Sequence, residues 1–98
     1  MTKTPRKTLK HYRATAHSPI GKMPVRYAAV FHSIHHAKGG QAEPFQLAEA
    51  LGFPKPLIYR VISTLSGLGL AQLSGGYAYL TDKGKAVVQK IEDEADGR

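Results

Sequence analysis

The sequence predicts a mainly α-helical domain with a small β-hairpin, in the order helix, helix, helix, strand, strand, helix. Apolar residues recur at helical spacing in three stretches between residues 24 and 67, and glycines close each stretch. Two short runs then flank the turn Ser74-Gly75-Gly76, and a fourth helical pattern follows them. With 98 residues, the chain has room for one domain with a compact core.

Two prolines mark the expected starts of the first two helices, because proline loses no hydrogen bond in a first helical turn. The first helix is predicted from Pro24 to about Ala37, before Gly39-Gly40, and the second from Pro44 to Gly52. The apolar side of the first helix consists of Tyr27, Val30, Phe31 and Ile34. The apolar side of the second helix consists of Phe45, Leu47, Ala48 and Leu51.

The third helix follows a short corner at Gly52-Phe53 and opens at Pro54 or Pro56. Its apolar residues recur at spacings of 3, 4 and 7, and they are Ile58, Val61, Ile62 and Leu65. Glycines at positions 67 and 69 close it. The segment LAQLSGGYAYL then predicts a two-stranded ribbon, since paired glycines tolerate the positive φ angles of tight hairpin turns.

The last helix is predicted to begin after Thr81, which stands at the N-cap position and is followed by Asp82 in the first turn. Its apolar stripe consists of Val87, Val88 and Ile91. Gly84 lies inside the first turn, where glycine costs about 1 kcal/mol relative to alanine. A close approach between this helix and a strand would explain the glycine.

Two helices joined by a short turn, with a β-hairpin after the second, are the layout of a winged helix-turn-helix. The run LAEALGFPKPLIYRVISTLSGLGLA resembles this domain in IclR-type regulators, whose second helix commonly opens with a similar Pro-Lys pair and carries a Tyr-Arg or His-Arg pair. It is also similar to MarR-type domains, and YLTDKG resembles the end of the wing in MarR-like and PadR-like proteins. The resemblance implies a DNA-binding fold.

Charge is unevenly distributed along the chain. Fourteen Lys and Arg residues against seven Asp and Glu residues give a formal charge of +7, which favours nucleic acid or an anionic membrane as the partner. We expect a basic, flexible arm at residues 1–22, a domain at 23–92 and an acidic tail at 93–98. The arm either follows DNA phosphates or a minor groove, or is a solvated tail. The arm cations expected on DNA are Lys3, Arg6, Lys7, Lys10 and Arg13.

If the apolar side of the third helix faces the core, its outer side suits a DNA groove. This side consists of Lys55, Pro56, Tyr59, Arg60, Ser63 and Thr64. Lys and Arg pair with phosphates or guanine acceptors, Tyr and Ser donate to phosphates, and an exposed Leu57 would touch a thymine methyl group. Alternatively, Tyr59 packs on the second helix and Arg60 pairs with Glu49.

The hairpin tip is a second candidate contact with DNA. Gly75 and Gly76 let the backbone approach a phosphate, while Tyr77 packs or donates a hydrogen bond. A plain hairpin without any DNA contact is an equal alternative. The tip carries no cation, so its contact with DNA is expected to be weak.

Metal binding and catalysis are not expected. His32, His35 and His36 have a spacing that can bind a divalent metal, but no carboxylate lies within their helix. The chain has no cysteine and no P-loop, Rossmann or framed carboxylate motif, which argues against an enzyme and against a cofactor. No apolar run is long enough to span a bilayer, so we expect a cytoplasmic protein without a membrane partner.

These observations favour a small sequence-specific regulator of transcription that binds double-stranded DNA, with the third helix in the major groove. A homodimer is expected, because the apolar stripes of the first and last helices exceed what one small core needs. Two alternatives stay open. One is a winged-helix module that binds protein in a replication, partition or secretion assembly. The other is a protein that coats nucleic acid without sequence preference.

Overall fold

Residues 24–95 are described by a computed structural model, and they contain four α-helices and a three-stranded sheet. The elements in chain order are α1 (Val25–His35), a 3-10 turn (Lys38–Gly40), β1 (Gln41–Ala42), α2 (Pro44–Leu51), α3 (Lys55–Gly67), β2 (Ala71–Ser74), β3 (Tyr77–Leu80) and α4 (Asp82–Ala95). The prediction of a mainly helical domain is confirmed, and the predicted β-hairpin is present as part of a small antiparallel sheet. The predicted basic arm, residues 1–22, lies outside the described residues.

The sheet has the order β1-β3-β2, and both pairs of strands are antiparallel. The predicted hairpin is formed by β2 and β3, which pair Ala71 with Leu80 and Ser74 with Tyr77. The third strand, β1, is an addition that the sequence analysis missed, since a two-stranded ribbon was expected. It pairs Gln41 with Tyr79 and Ala42 with Ala78. β1 therefore connects the end of the α1 segment to the hairpin.

The hydrophobic core lies between the sheet and the four helices. Each of the helices α1, α3 and α4 contributes fully buried side chains, and Leu70 contributes another just before β2. The largest of these side chains are Phe31, Ile34, Ile58, Leu65, Leu70 and Ile91. From α2, Leu47 and Ala48 join the core, but Phe45 is 48% exposed. The expectation that Phe45 belongs to the apolar side of the second helix is therefore wrong.

The corner between α2 and α3 has the geometry that its sequence predicts. Gly52 caps α2 in the left-handed conformation, with φ of 72°, and the N–H of Phe53 donates to the carbonyl of Ala48 over 3.0 Å. Pro54 then stands at the N-cap of α3, and Phe53 packs partly buried against the core. This corner fixes the direction in which α3 leaves α2.

The start of α4 is held by Thr81, as predicted. Its hydroxyl oxygen accepts a 3.0 Å hydrogen bond from the N–H of Gly84, which is the pattern of an N-cap. A Cβ atom on Gly84 would collide with the carbonyl oxygen of Leu70, so the close approach that was expected to explain this glycine is present. The helix runs on to the buried Ala95, and residues 93–95 of the predicted acidic tail are helical.

None of the helices within residues 24–95 combines the length and the apolar character needed to cross a membrane.

Candidate nucleic-acid interface

Helix α3 separates cleanly into a buried and an exposed side. Its four predicted core residues are all buried, and none of them has more than 2% of its surface exposed. The opposite side carries the residues that the sequence analysis singled out, and each of them is exposed: Lys55, Pro56, Tyr59, Arg60, Ser63 and Thr64. Thirteen residues make a helix about 20 Å long, which is sufficient to follow a DNA groove. The structure therefore brings the predicted helical contact residues together on one face.

The two cations on this face differ in their surroundings. Arg60 forms no ion pair with Glu49 among the contacts that the structure describes, so its guanidinium is available to other partners. The Nζ atom of Lys55 lies 4.8 Å from the centre of the Phe45 ring, in a cation–π contact. Phe45 comes from α2, so this contact holds the ammonium group beside the corner of the two helices. Lys55 thus contacts a residue that was expected on the apolar side of the second helix.

Phe45 could have been identified from its angular position on α2. At about 100° per residue, Phe45 points about 160° away from Leu47, whereas Ala48 points about 100° and Leu51 about 40° away from it. Aromatic side chains, including Phe, are enriched at contact surfaces. We therefore add Phe45 to the candidate interface.

Two of the predicted contact residues, Thr64 and Leu57, are less available to a partner than the others on α3. Thr64 donates a 3.0 Å hydrogen bond to the carbonyl of Arg60 within its own helix, so its hydroxyl remains available only as an acceptor. Leu57 packs partly buried against the core and does not belong to the exposed face. The condition under which Leu57 would touch a thymine methyl group, full exposure, is therefore not met.

The hairpin tip has the backbone geometry that its glycines predict. Gly75 and Gly76 have φ angles of 60° and 83°, which correspond to a tight turn with two left-handed residues. Tyr77 is exposed, and so is Leu73 on β2. Behind the tip, the hydroxyl of Tyr79 donates a 2.7 Å hydrogen bond to Oε1 of Gln72 and joins the two strands. The tip offers backbone groups, a phenol and a leucine, but no charge.

The net charge lies mostly outside the folded domain. Residues 24–95 hold seven Lys and Arg residues and six Asp and Glu residues, which nearly cancel. Residues 1–23 hold six cations and no acid. The predicted contacts Lys3, Arg6, Lys7, Lys10 and Arg13 all belong to this segment and lie outside the described residues. Long-range electrostatic attraction to an anionic partner would therefore come from residues 1–23 far more than from the domain.

A cluster of titratable side chains joins the end of α1 to α4. Its carboxylate lies far from the histidines in the sequence, so the spacing of the histidines alone does not reveal the cluster. Oε2 of Glu92 lies 2.8 Å from Nδ1 of His32 and 2.6 Å from Nε2 of His36. A metal site was not expected from the sequence, because no carboxylate lies within the first helix. The fold supplies a carboxylate from the last helix, so this reason against a metal site does not hold.

The histidines of this cluster have different environments. Burial lowers the pKa of His32, and the negative charge of Glu92 opposes that effect. Burial also lowers the pKa of His35, whose ring packs edge-on against His36 at 4.8 Å between ring centres. His36 itself is half exposed. The neutral form of His32, which is the form that ligates metals, is thus favoured.

The apolar stripes on which the dimer expectation rested are used within one chain. Val30, Phe31 and Ile34 of α1 are fully buried, as are Val88 and Ile91 of α4. Val87 is partly buried against the same core. These stripes therefore leave no surplus that calls for a second subunit, and the homodimer remains a prediction without this support.

Comparison of the chain with protein-family models, with curated proteins and with solved structures finds no significant match.

Proposed function

We propose that this chain is a small winged helix-turn-helix protein that binds double-stranded DNA and regulates transcription, with α3 in the major groove. The observation that carries the proposal is the face of α3, where Lys55, Tyr59, Arg60 and Ser63 are exposed together on a helix whose other side is buried. Arg and Lys read guanine acceptors or phosphates, and Tyr and Ser donate to phosphates. The hairpin of β2 and β3 would act as the wing.

The uneven distribution of charge supports different roles for the domain and for residues 1–23. The domain is nearly neutral, so its affinity for DNA would come from short-range contacts of α3, which depend on base sequence. Residues 1–23 would supply the salt-dependent attraction to phosphates. A homodimer on a palindromic site would double the readout, and the length of the protected DNA tests this part of the proposal.

The experiment begins with selection of bound sequences from a random duplex library, followed by competition binding of the selected site against random DNA over a salt series. A regulator keeps its site against excess random DNA. Arg60→Ala is expected to weaken specific binding about tenfold or more, within the roughly 1–3 kcal/mol of a good base contact. Lys90→Ala, which removes one exposed charge on α4, is the control and should change the affinity little.

A steep salt dependence without any sequence preference would instead identify a protein that coats nucleic acid. Absence of binding to any duplex at low salt would eliminate both nucleic-acid functions. Equal losses for Arg60→Ala and Lys90→Ala would show that α3 is not the reading element, and that charge alone governs binding.

A protein-interaction module is the second candidate, because several large apolar side chains are exposed on the domain. Phe45, Tyr59, Leu73 and Tyr77 are each between 40% and 49% exposed. Aromatic side chains of this kind are enriched at protein interfaces. In this case, Tyr59→Ala and Leu73→Ala would abolish capture of a protein partner, while no duplex would be selected from the random library.

A further inference from the structure

The strongest feature outside the proposed DNA interface is the contact between the end of α1 and the last turns of α4. Of the polar and charged side chains that the structure describes, His32 is the one that is buried. It lies four residues before His36, and the two rings are 4.5 Å apart between centres. Glu92 reaches both rings from α4 and is itself only 15% exposed at its side chain.

We propose that His32, His36 and Glu92 form a binding site for a divalent transition-metal ion, with Zn²⁺ as the best match. The three residues each offer one ligand atom, and these atoms all lie within 4.8 Å of one another. Two histidines at positions i and i+4 of a helix are a spacing that holds zinc in proteins. Two imidazoles and one carboxylate are a ligand set that zinc accepts, with a fourth position open for water.

The dimensions of the cluster are close to those of a zinc site. Zinc lies about 2.0–2.1 Å from histidine nitrogen and about 2.0–2.2 Å from carboxylate oxygen, so tetrahedral ligands are about 3.3 Å apart. Here the carboxylate oxygen is 2.8 Å and 2.6 Å from the two nitrogens. The ligand atoms lie within 4.8 Å of one another, so the two imidazole nitrogens would also have to approach each other to about 3.3 Å. A retreat of the Glu92 carboxylate by about half an ångström, together with rotation of the two imidazole rings, would admit the ion through side-chain movements.

The surroundings of the cluster favour a soft or borderline ion over Mg²⁺ and Ca²⁺, which prefer sets of oxygen ligands. The buried His32 and mostly buried Glu92 would form the floor of the site. The half-exposed His36 would form its rim, so the ion can enter from solvent without unfolding of the core. His35 faces His36 but is not one of the three clustered ligands, and it provides an internal control.

A bound ion would link the first and last helices of the domain, because its ligands come from α1 and α4. A ligand that binds only the folded chain stabilises it by mass action. The proposed ion is therefore structural, and it is independent of whether α3 binds DNA.

The test uses the full chain without a histidine tag, stripped with a chelator and then titrated with zinc chloride by calorimetry. We expect one ion per chain and a rise in Tm of about 5 °C or more at saturation. Titration with cobalt chloride should give the intense visible absorption of a tetrahedral Co²⁺ site. His36→Ala and Glu92→Gln should each weaken zinc binding at least tenfold, since each removes one of three ligands.

Two control variants separate this cluster from adventitious chelation by other histidines. His35→Ala and the double variant His11→Gln/His17→Gln should both keep the affinity and the Tm shift of the parent chain. His36→Ala changes an exposed side chain, so its fold, checked by circular dichroism, should persist and keep the test valid even if Glu92→Gln unfolds.

The proposal is overturned if the parent chain binds no zinc at millimolar concentration, which would identify the cluster as a metal-free hydrogen-bonded His–Glu–His group. Unchanged binding by His36→Ala would also overturn it. A loss of affinity in the double variant equal to that in His36→Ala would place the ion on the N-terminal histidines instead.

Discussion

The hydroxyl of Thr81 donates a 2.6 Å hydrogen bond to the carbonyl of Gly69 and accepts another from the N–H of Gly84. One side chain thereby caps α4 and ties it to the segment between α3 and β2. The N–H of Thr81 also donates to the carbonyl of Leu70 over 3.0 Å. The end of the hairpin, the start of α4 and the end of α3 are therefore held at a single residue.

Thr81→Ala is expected to lower the free energy of unfolding by about 1–2 kcal/mol, because it removes an N-cap and a second hydrogen bond together. The Tm should fall by about 4–8 °C for each kcal/mol in a domain of this size. Thr81→Ser keeps the hydroxyl and should stay within about 0.5 kcal/mol of the parent chain. Urea unfolding measures both variants, and an equal loss for Ser and Ala would assign the effect to the methyl group.

Gly84 is required by the packing of α4 on the chain before β2, since a Cβ atom there would collide with the Leu70 carbonyl. Gly84→Ala should destabilise the fold by about 1–3 kcal/mol, the usual cost of overpacking, despite the better helix propensity of alanine. Gly67→Ala is the matched control, because Gly67 is also helical and has no atom within 4 Å of the added Cβ. It should be neutral or stabilise by up to about 1 kcal/mol.

Chemical denaturation of both glycine variants gives the comparison directly. A neutral Gly84→Ala would mean that the backbone of Leu70 moves aside at little cost. In that case, the packing of α4 against Leu70 would not require a glycine at position 84.

Local signals explain why most of the helical fold was predictable. Prolines 24, 44 and 54 mark the three helix starts, Gly52 adopts the left-handed conformation that ends α2, and Thr81 caps α4 with its side chain. Each of these effects acts within a few residues. The apolar spacing of α3 was equally local, and it identified both the buried side and the exposed contact face.

The features that escaped prediction depend on contacts between distant parts of the chain. β1 has only two residues, too few to show the alternation of apolar and polar residues that marks a strand. It forms because it pairs with the edge of β3. Glu92 lies 56 residues after His36, and their proximity follows from the packing of α1 on α4. Phe45 was expected on the apolar side of the second helix, but it is half exposed and lies beside Lys55 of α3, a contact that the sequence of α2 alone does not show. The wing and the DNA contact of α3 stay predictions that depend on a partner.

The cation–π contact between Phe45 and Lys55 gives a test of the candidate interface that does not alter its charge. Phe45→Ala should weaken binding to the selected DNA site about two- to fivefold, because an exposed contact of this kind contributes about 0.5–1 kcal/mol to the position of the ammonium group. Phe45→Tyr keeps the ring and should bind as the parent chain does. Stability should hardly change, since the ring is half exposed.

A double-mutant cycle with Lys55→Ala shows whether Phe45 affects binding through Lys55 or through a contact of its own. If Phe45 acts by positioning Lys55, its substitution should have no further effect in the Lys55→Ala background. A full additional loss there would show that Phe45 touches the DNA, or a protein partner, on its own account.

The basic segment ahead of the domain should govern the salt dependence of DNA binding. Five cations, Lys3, Arg6, Lys7, Lys10 and Arg13, are to be replaced together by Gln in the full chain. The slope of log K against log salt should become shallower by about 0.9 for each cation that had neutralised a phosphate. Preference for the selected site over random duplex should persist, because the domain is nearly neutral and, in the proposed function, α3 reads the bases. An unchanged salt slope in this variant would identify the basic segment as a solvated tail. Weaker binding together with a lost preference for the selected site would show that the segment itself reads bases, for example in the minor groove.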